Sequence, residues 1–177
     1  MILPAGRNKD IMQLCWVVPD LDKAIDHWVR TAGAGPFFLF DAVHFEDSHY
    51  RGKPADIAEH RAAIGQLGPT QIELIEPTGG DRGIWGEVVP KGGSGLHHAG
   101  LYCADYAADR AAYVATGAEV AFEGLMMGAR TCYIDTVGTL GFMTELITAN
   151  PIAQSVFATF RQAAEGWDGS DPVRRLG

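Results

Sequence analysis

Four side chains in this 177-residue sequence could hold a divalent ion between them: Gln13 in MQLCWVVPD, Glu73 in TQIELIEP, His98 in GLHHAGLYCAD and Glu145 in GFMTELIT. They offer one amide oxygen, one imidazole nitrogen and two carboxylates. That borderline-hard donor set suits zinc, cobalt, nickel, manganese or iron(II), and calcium less. It contains no thiolate, so it does not describe a structural zinc cage. Both glutamates sit in apolar, strand-like runs, where an ionised carboxylate facing the core is costly unless it is paired or metal-bound. A histidine alone on an apolar strand is more often a hydrogen-bonded core residue, and Gln13 alone carries no signal. The four make a site only if the fold brings them together.

The positions of the four suggest that it does. MQLCWVVPD (12–20) reads as a strand, and Asp20 can cap a helix whose apolar stripe is Leu21, Ala24, Ile25, Trp28 and Val29, closed by Gly33. FFLFDAV (37–43), IAEHRAAIGQL (57–67) and TQIELIEP (70–77) follow as strands. The second half repeats the order: LHHAGLYCAD (96–105), a helix over 106–118, then strands over 118–124, 130–136 and 141–148. Without gaps, Gln13 falls on His98, Asp20 on Asp105, Val29 on Val114 and Thr31 on Thr116. The last strand of each half carries the same tripeptide, Glu73-Leu74-Ile75 and Glu145-Leu146-Ile147. This is the pattern of an internal duplication. Gln13 and His98 are equivalent, and so are Glu73 and Glu145.

The expected architecture is therefore α+β: two βαβββ modules over 11–77 and 95–148, forming an open barrel-like cleft in a single domain spanning 1–177. A Gly-rich linker over 78–94 joins them, and an added C-terminal helix covers 151–167. DGSDPVRRLG at the end is expected to fray. In GLHHAG, neighbouring residues of a strand point to opposite faces, so only one of His97 and His98 can face the inside.

Bulk properties exclude some functions. The formal net charge is −8, with 22 acids against 14 bases, which speaks against a nucleic-acid partner. Cys15, Cys103 and Cys132 are few, odd in number and far apart, as in a reducing cytoplasm rather than a disulfide framework. MILPAGRNKD lacks a signal-peptide core, and no apolar run reaches membrane-spanning length. A cytoplasmic protein with a small-molecule substrate and no membrane partner is expected.

QLCWVVPDLDKAIDHW, TQIELIEP, GLHHAGLYCAD and GFMTELI resemble the corresponding stretches of the vicinal oxygen chelate (glyoxalase/bleomycin resistance/dioxygenase) superfamily, and within it the methylmalonyl-CoA epimerases and glyoxalases I. The resemblance covers residues 11–148. It implies metal ligands at Gln13, Glu73, His98 and Glu145, with His98 toward the metal and His97 facing away or touching the neighbouring module. The epimerase pattern has His where this chain has Gln13, and often Gln where it has Glu73. The Gln-Glu-His-Glu set is similar to that of the eukaryotic type of glyoxalase I.

The resemblance also implies an activity: a metal-dependent isomerase, epimerase or lyase that removes a proton beside a carbonyl and stabilises the enolate on the metal. Glu145 is the first candidate for the base and Glu73 the second. Glu59 and His60 lie where such an epimerase draws a further acid or base, but a one-residue slip of register would exchange their faces. Two other readings remain: a non-catalytic small-molecule binding protein, and a ring-cleaving dioxygenase, which would want two histidines where these positions supply one. The family's habit implies a homodimer. Arg51, Lys53, Arg61, Arg82, Lys91 and Arg130 are scattered and form no evident anion site. PFFLF (36–40), Trp16 and Trp85 would suit a more apolar substrate or simply the core. His44, Asp47 and His49 read as a solvated loop rather than a second metal site, Cys15 as a small buried filler and His27 as exposed.

Overall fold

Asp20 accepts a hydrogen bond from the Lys23 amide at 3.0 Å, and Asp105 does the same for Ala108 at 3.0 Å, so the duplicated aspartates are duplicated helix caps. The computed structural model describes residues 9–175; residues 1–8, most of MILPAGRNKD, and 176–177 lie outside the described residues. In chain order the elements are β1 (Ile11–Val17), α1 (Leu21–Ala32), β2 (Phe37–Phe40), β3 (Glu46–Tyr50), β4 (Lys53–Pro54), β5 (His60–Leu67), β6 (Thr70–Pro77) and α2 (Gly83–Val88). Then follow β7 (Gly95–Cys103), α3 (Tyr106–Val114), β8 (Val120–Met126), β9 (Ala129–Ile134), α4 (Val137–Leu140), β10 (Met143–Thr148), α5 (Pro151–Ala164) and β11 (Val173–Arg175). No helix among the described residues is long and apolar enough to cross a membrane.

The strands form one open mixed sheet in the order β11-β2-β5-β6-β1-β7-β10-β9-β8-β3-β4. β1 runs parallel to β6, β7 runs parallel to β10, and the antiparallel β1–β7 pair is the seam between the two groups. This is the α+β open-sheet architecture expected from the repeat.

Alternation along the central strands gives the sheet two faces. On the outer face, Leu21 and Ile25 of α1 pack on Ile72 and Leu74 of β6, and Trp16 meets Trp28 with ring centroids 5.2 Å apart. α3 covers the other half of that face, where Tyr106 and Tyr113 pack against Cys132, Ile134 and Leu146. On the inner face, Cys15, Val17, Ile75, Tyr133 and Met143 pack with Trp85 of α2. Phe157 and Phe160 of α5 close the same side over Phe38, Ile64 and Ile147. Leu74 and Leu146 of the shared tripeptide thus serve the outer core, which sends Glu73 and Glu145 to the inner side.

Several local expectations change. The Gly-rich linker contains α2, because Ile84 and Trp85 are apolar enough to be driven into the inner core, where each is 1% exposed. The polar stretch around His49 is not a loop: β3 pairs with β8, from the second half of the chain, and Gly124 of β8 leaves the room that Phe45 and Ser48 occupy. α5 ends at Ala164 rather than at 167. Among the described residues, which end at 175, the tail is held rather than frayed: β11 adds to β2 as a parallel edge strand and the Trp167 ring lies against Gly35.

Candidate functional site

Two neighbouring rungs of the sheet carry the donors. In one, Glu73 of β6, Cys15 of β1 and His98 of β7 lie side by side; in the next, Gln13 of β1, Gly100 of β7 and Glu145 of β10 do. All four residues singled out in the sequence therefore reach one place on the inner face. His98 Nε2 lies 3.2 Å from Glu73 Oε2 and 3.2 Å from Glu145 Oε2. Neither contact is aligned as a hydrogen bond, so His98 Nε2 and Glu145 Oε2 are buried polar atoms without a hydrogen-bond partner. Such orphans are rare in a well-made interior and call for an explanation. Gln13 donates its amide to Gln71 Oε1 at 3.3 Å, which leaves its own Oε1 to face the site. Gly100 lies between Gln13 and Glu145, and a methyl group there would stand 3.1 Å from Glu145 Oε2 and 3.3 Å from Gln13 Oε1. The missing side chain keeps the space among the donors open. Orphaned atoms, open space and donor chemistry all fit a divalent ion.

Cys15 joins this group: its thiol and the donor atoms of Glu73 and His98 lie within 4.8 Å of one another. Its parity with Gln13 was the signal for that. Burial, reinforced by the negative charge of Glu73, pushes the Cys15 thiol well above its ordinary pKa.

The paired histidines do not alternate. The register passes from Cys15↔His98 to Trp16↔Leu96, so His97 is an extra residue in β7, a β-bulge. The bulge lets both rings be fully buried, and both pack on the Tyr133 ring, with centroids 4.9 Å (His98) and 5.9 Å (His97) from it. His97 does not face away, one of the two placements expected for it; it is buried and supports His98. His97 Nε2 donates to the Ile84 carbonyl at 3.1 Å, so its Nδ1 is the acceptor for His98 Nδ1–H at 2.9 Å. This chain of bonds places the proton of a neutral His98 on Nδ1 and turns the Nε2 lone pair toward the two carboxylates. A histidine that ligates a metal is oriented by such a partner on its other nitrogen.

Charge follows geometry. Burial works against the His98 imidazolium, but the carboxylates of Glu145 and Glu73 outweigh it and push its pKa up to about 9. Burial likewise opposes ionised Glu73, but His98 holds it below the usual carboxylate range. His97 is pushed down to about 3 by burial and by the charge on His98. In the metal-free protein the two histidines act on stability in opposite senses. His98 binds its proton more tightly folded, so its contribution is complete below pH 6.5 and is lost as pH rises through about 9. At about 1.4 kcal/mol per unit, roughly 3 kcal/mol is at stake. His97 binds its proton less tightly folded, so its contribution is complete above pH 6.5 and is lost as pH falls toward about 3. Urea unfolding of metal-free protein from pH 4 to 10 is expected to give a maximum near pH 6.5. A curve that stays flat above that pH would remove the His98–carboxylate pair from the account.

The donors open into a cleft with a cavity of about 50 Å³, walled by aromatic and aliphatic side chains that include Phe40, Trp85, Phe157 and Phe160. The register of β5 separates the two uncertain residues. His60 is 5% exposed and lines the cleft, while Glu59 is exposed. His60 Nδ1 donates to the Ala58 carbonyl at 2.8 Å, leaving Nε2 as an acceptor, and burial lowers its pKa, so it is neutral at pH 7. His44 and Asp47 are exposed, His49 is half-buried on β3, and no cluster of metal-type donors forms around them among the described residues. His27 is exposed.

Three comparisons bear on this arrangement. The model of the Glyoxalase/Bleomycin resistance protein/Dioxygenase superfamily matches residues 12–135. Among curated proteins nothing matches. Among solved structures, the chain is similar to methylmalonyl-CoA epimerase from Mycobacterium tuberculosis, with a TM-score of 0.57 and 20% identity over 81% of this chain and 90% of that one. It is similar to a methylmalonyl-CoA epimerase in complex with methylmalonyl-CoA and NH4+, with a TM-score of 0.57 and 23% identity over 81% and 96% of the two chains. A variant of the Streptomyces coelicolor epimerase in complex with 2-nitronate-propionyl-CoA gives 0.54 and 24% over 78% and 95%. At these identities the likeness establishes the fold.

Proposed function

Because the chain belongs to the glyoxalase/bleomycin resistance protein/dioxygenase superfamily, we propose that it is a metal-dependent isomerase, epimerase or lyase that removes the proton beside a carbonyl and proceeds through the enolate. The observation that carries this reading is the convergence of Gln13, Glu73, His98 and Glu145 on one buried place where His98 Nε2 and Glu145 Oε2 lack hydrogen-bond partners. Gln13 Oε1, His98 Nε2 and one oxygen each of Glu73 and Glu145 would hold a divalent ion of the zinc, cobalt, nickel, manganese or iron(II) kind. Such an ion supplies Lewis acidity to a carbonyl oxygen and so eases loss of the neighbouring proton.

The rest falls to the chain's own groups. Glu145 is the first candidate for the base: its buried Oε2 has no hydrogen-bond partner and can accept a proton. Glu73 is the second. His60 Nε2, unprotonated at neutral pH, is a third acceptor in the same cleft. His97 fixes the ring of His98, and the apolar walls exclude water from the carbanion. The donor set contains one histidine, which sets the ring-cleaving dioxygenase aside in favour of proton transfer. Cytoplasmic residence and a homodimer belong to the same proposal.

The test joins metal analysis to isotope exchange. Purified protein supplied with divalent metal is expected to hold about one equivalent per chain and to exchange the α-proton of carbonyl substrates in deuterium oxide, followed by proton NMR. The panel should span simple hydroxyketones, a thiohemiacetal and methylmalonyl-CoA. Protein that binds no metal and exchanges no proton would overturn the catalytic reading and leave a binding protein.

A further inference from the structure

We infer that the cleft takes a neutral carbonyl compound bearing an apolar, ring-sized group, and not a coenzyme A thioester, a glutathione adduct or a free carboxylate. The inference rests on the proton-abstraction reading above and adds to it the class of substrate.

Charge in the lining is the first argument. Its polar members are Gln13, His60, Glu73, Tyr133 and Glu145, and among the described residues that line the cleft there is no lysine or arginine. Carboxylates and phosphates are recognised by the guanidinium fork or the lysine ammonium, and neither is at hand. None of the arginines that the sequence offered for that purpose lines the cleft: Arg82 donates to the Val89 carbonyl at 3.3 Å, and the other three are in ion pairs. Arg51 pairs with Glu87, with Glu119 at 3.1 Å and with Asp135 at 2.7 Å. Arg61 pairs with Glu76 at 3.0 Å, and Arg130 lies 3.7 Å from Asp47. Arg161 of α5 faces a different groove, beside Tyr102 and Met12. An anion in the cleft would also meet Glu73 and Glu145. These two carboxylates match the charge of a divalent ion and leave no surplus of positive charge to hold a third. His60 adds none, since it is neutral at pH 7.

Shape and surface point the same way. Beyond the donors the walls are Phe40, Phe45, Ile64, Trp85, Phe157 and Phe160, together with other aliphatic side chains. Such walls reward removal of apolar surface from water and offer ring faces and edges to an aromatic group. The present cavity of about 50 Å³ holds a few waters at most. A ring-sized group therefore seats by pushing aside the outer wall, where Met126, Met127 and Val156 stand and Met127 is 41% exposed. Unbranched thioether side chains repack readily.

The test compares ligands of different charge, two of them of similar bulk, on the zinc-loaded full chain. Isothermal titration with 2-hydroxyacetophenone, a neutral aryl hydroxyketone, is set beside phenylglyoxylate, its anionic counterpart, and methylmalonyl-CoA. The neutral ketone is expected to bind at least tenfold more tightly than either anion. Equal or tighter binding of phenylglyoxylate or methylmalonyl-CoA overturns the inference, and so does failure of the neutral ketone to bind. Proton exchange in the same samples reports on the catalytic reading separately. A ketone that binds without exchange keeps the substrate class and removes proton abstraction. A coenzyme A ester that binds best and exchanges removes the substrate class and keeps proton abstraction.

Discussion

His98→Ala is expected to lower bound metal from about one equivalent per chain to less than a tenth, and to destabilise the metal-free protein as well. Both effects come from the same atom. Nε2 is the one nitrogen among the four proposed donors, and it lies 3.2 Å from each carboxylate. Its removal leaves Glu145, 3% exposed, with no positive partner. Breaking a buried ion pair by deleting one member costs about 3–5 kcal/mol, because the remaining charge stays buried. Elemental analysis of dialysed protein and urea unfolding at pH 5 and 8 measure both effects. Metal retained at wild-type stoichiometry would mean that the ion sits elsewhere.

Glu145→Gln is expected to reduce α-proton exchange by about 10²–10⁴-fold, the range of a general base's contribution. The amide keeps the size of the side chain and one oxygen donor, but it has no group that accepts a proton at neutral pH. Metal affinity should fall far less than exchange, since an amide oxygen already serves as donor at Gln13. Rates are best compared per bound metal, with Glu73→Gln alongside. If Glu145→Gln exchanges within threefold of wild type and Glu73→Gln does not, the base is Glu73. If both keep their rates, His60 is the remaining acceptor on the cleft wall.

Much of this was readable in the residues, for reasons that can be named. The shared Glu-Leu-Ile works because strand period fixes three faces at once: the leucine must join the outer helices, so the glutamate must turn inward. Asp20 and Asp105 were readable as caps because a short acceptor just before an apolar stripe has little else to do. What could not be read depends on partners remote in sequence. The His97 bulge exists only relative to its neighbour, where two residues of β7 face one step of β1. β3 looked like a polar loop because one side of it is wet, and its pairing strand is more than seventy residues away. α2 hid among glycines, and its reason is the hole that Trp85 fills beside His60, with ring centroids 4.9 Å apart. The choice between Glu59 and His60 needed the absolute register of β5 against β6, in which His60 stands opposite Pro77.

The seam between β1 and β7 gives the site a further property. Gln13 and Glu73 stand on one side of it, His98 and Glu145 on the other, and the rungs that carry them cross from β6 through β1 and β7 to β10. Neither side owns more than half of the set. The proposed coordination sphere would thus be a coincidence detector: it would be complete only while the two groups of strands are in register, and an ion that occupied it would act as a reversible cross-link between them. Its occupancy would then report on the joint itself, falling at the first slip of one group against the other and before either had lost its own helix or core.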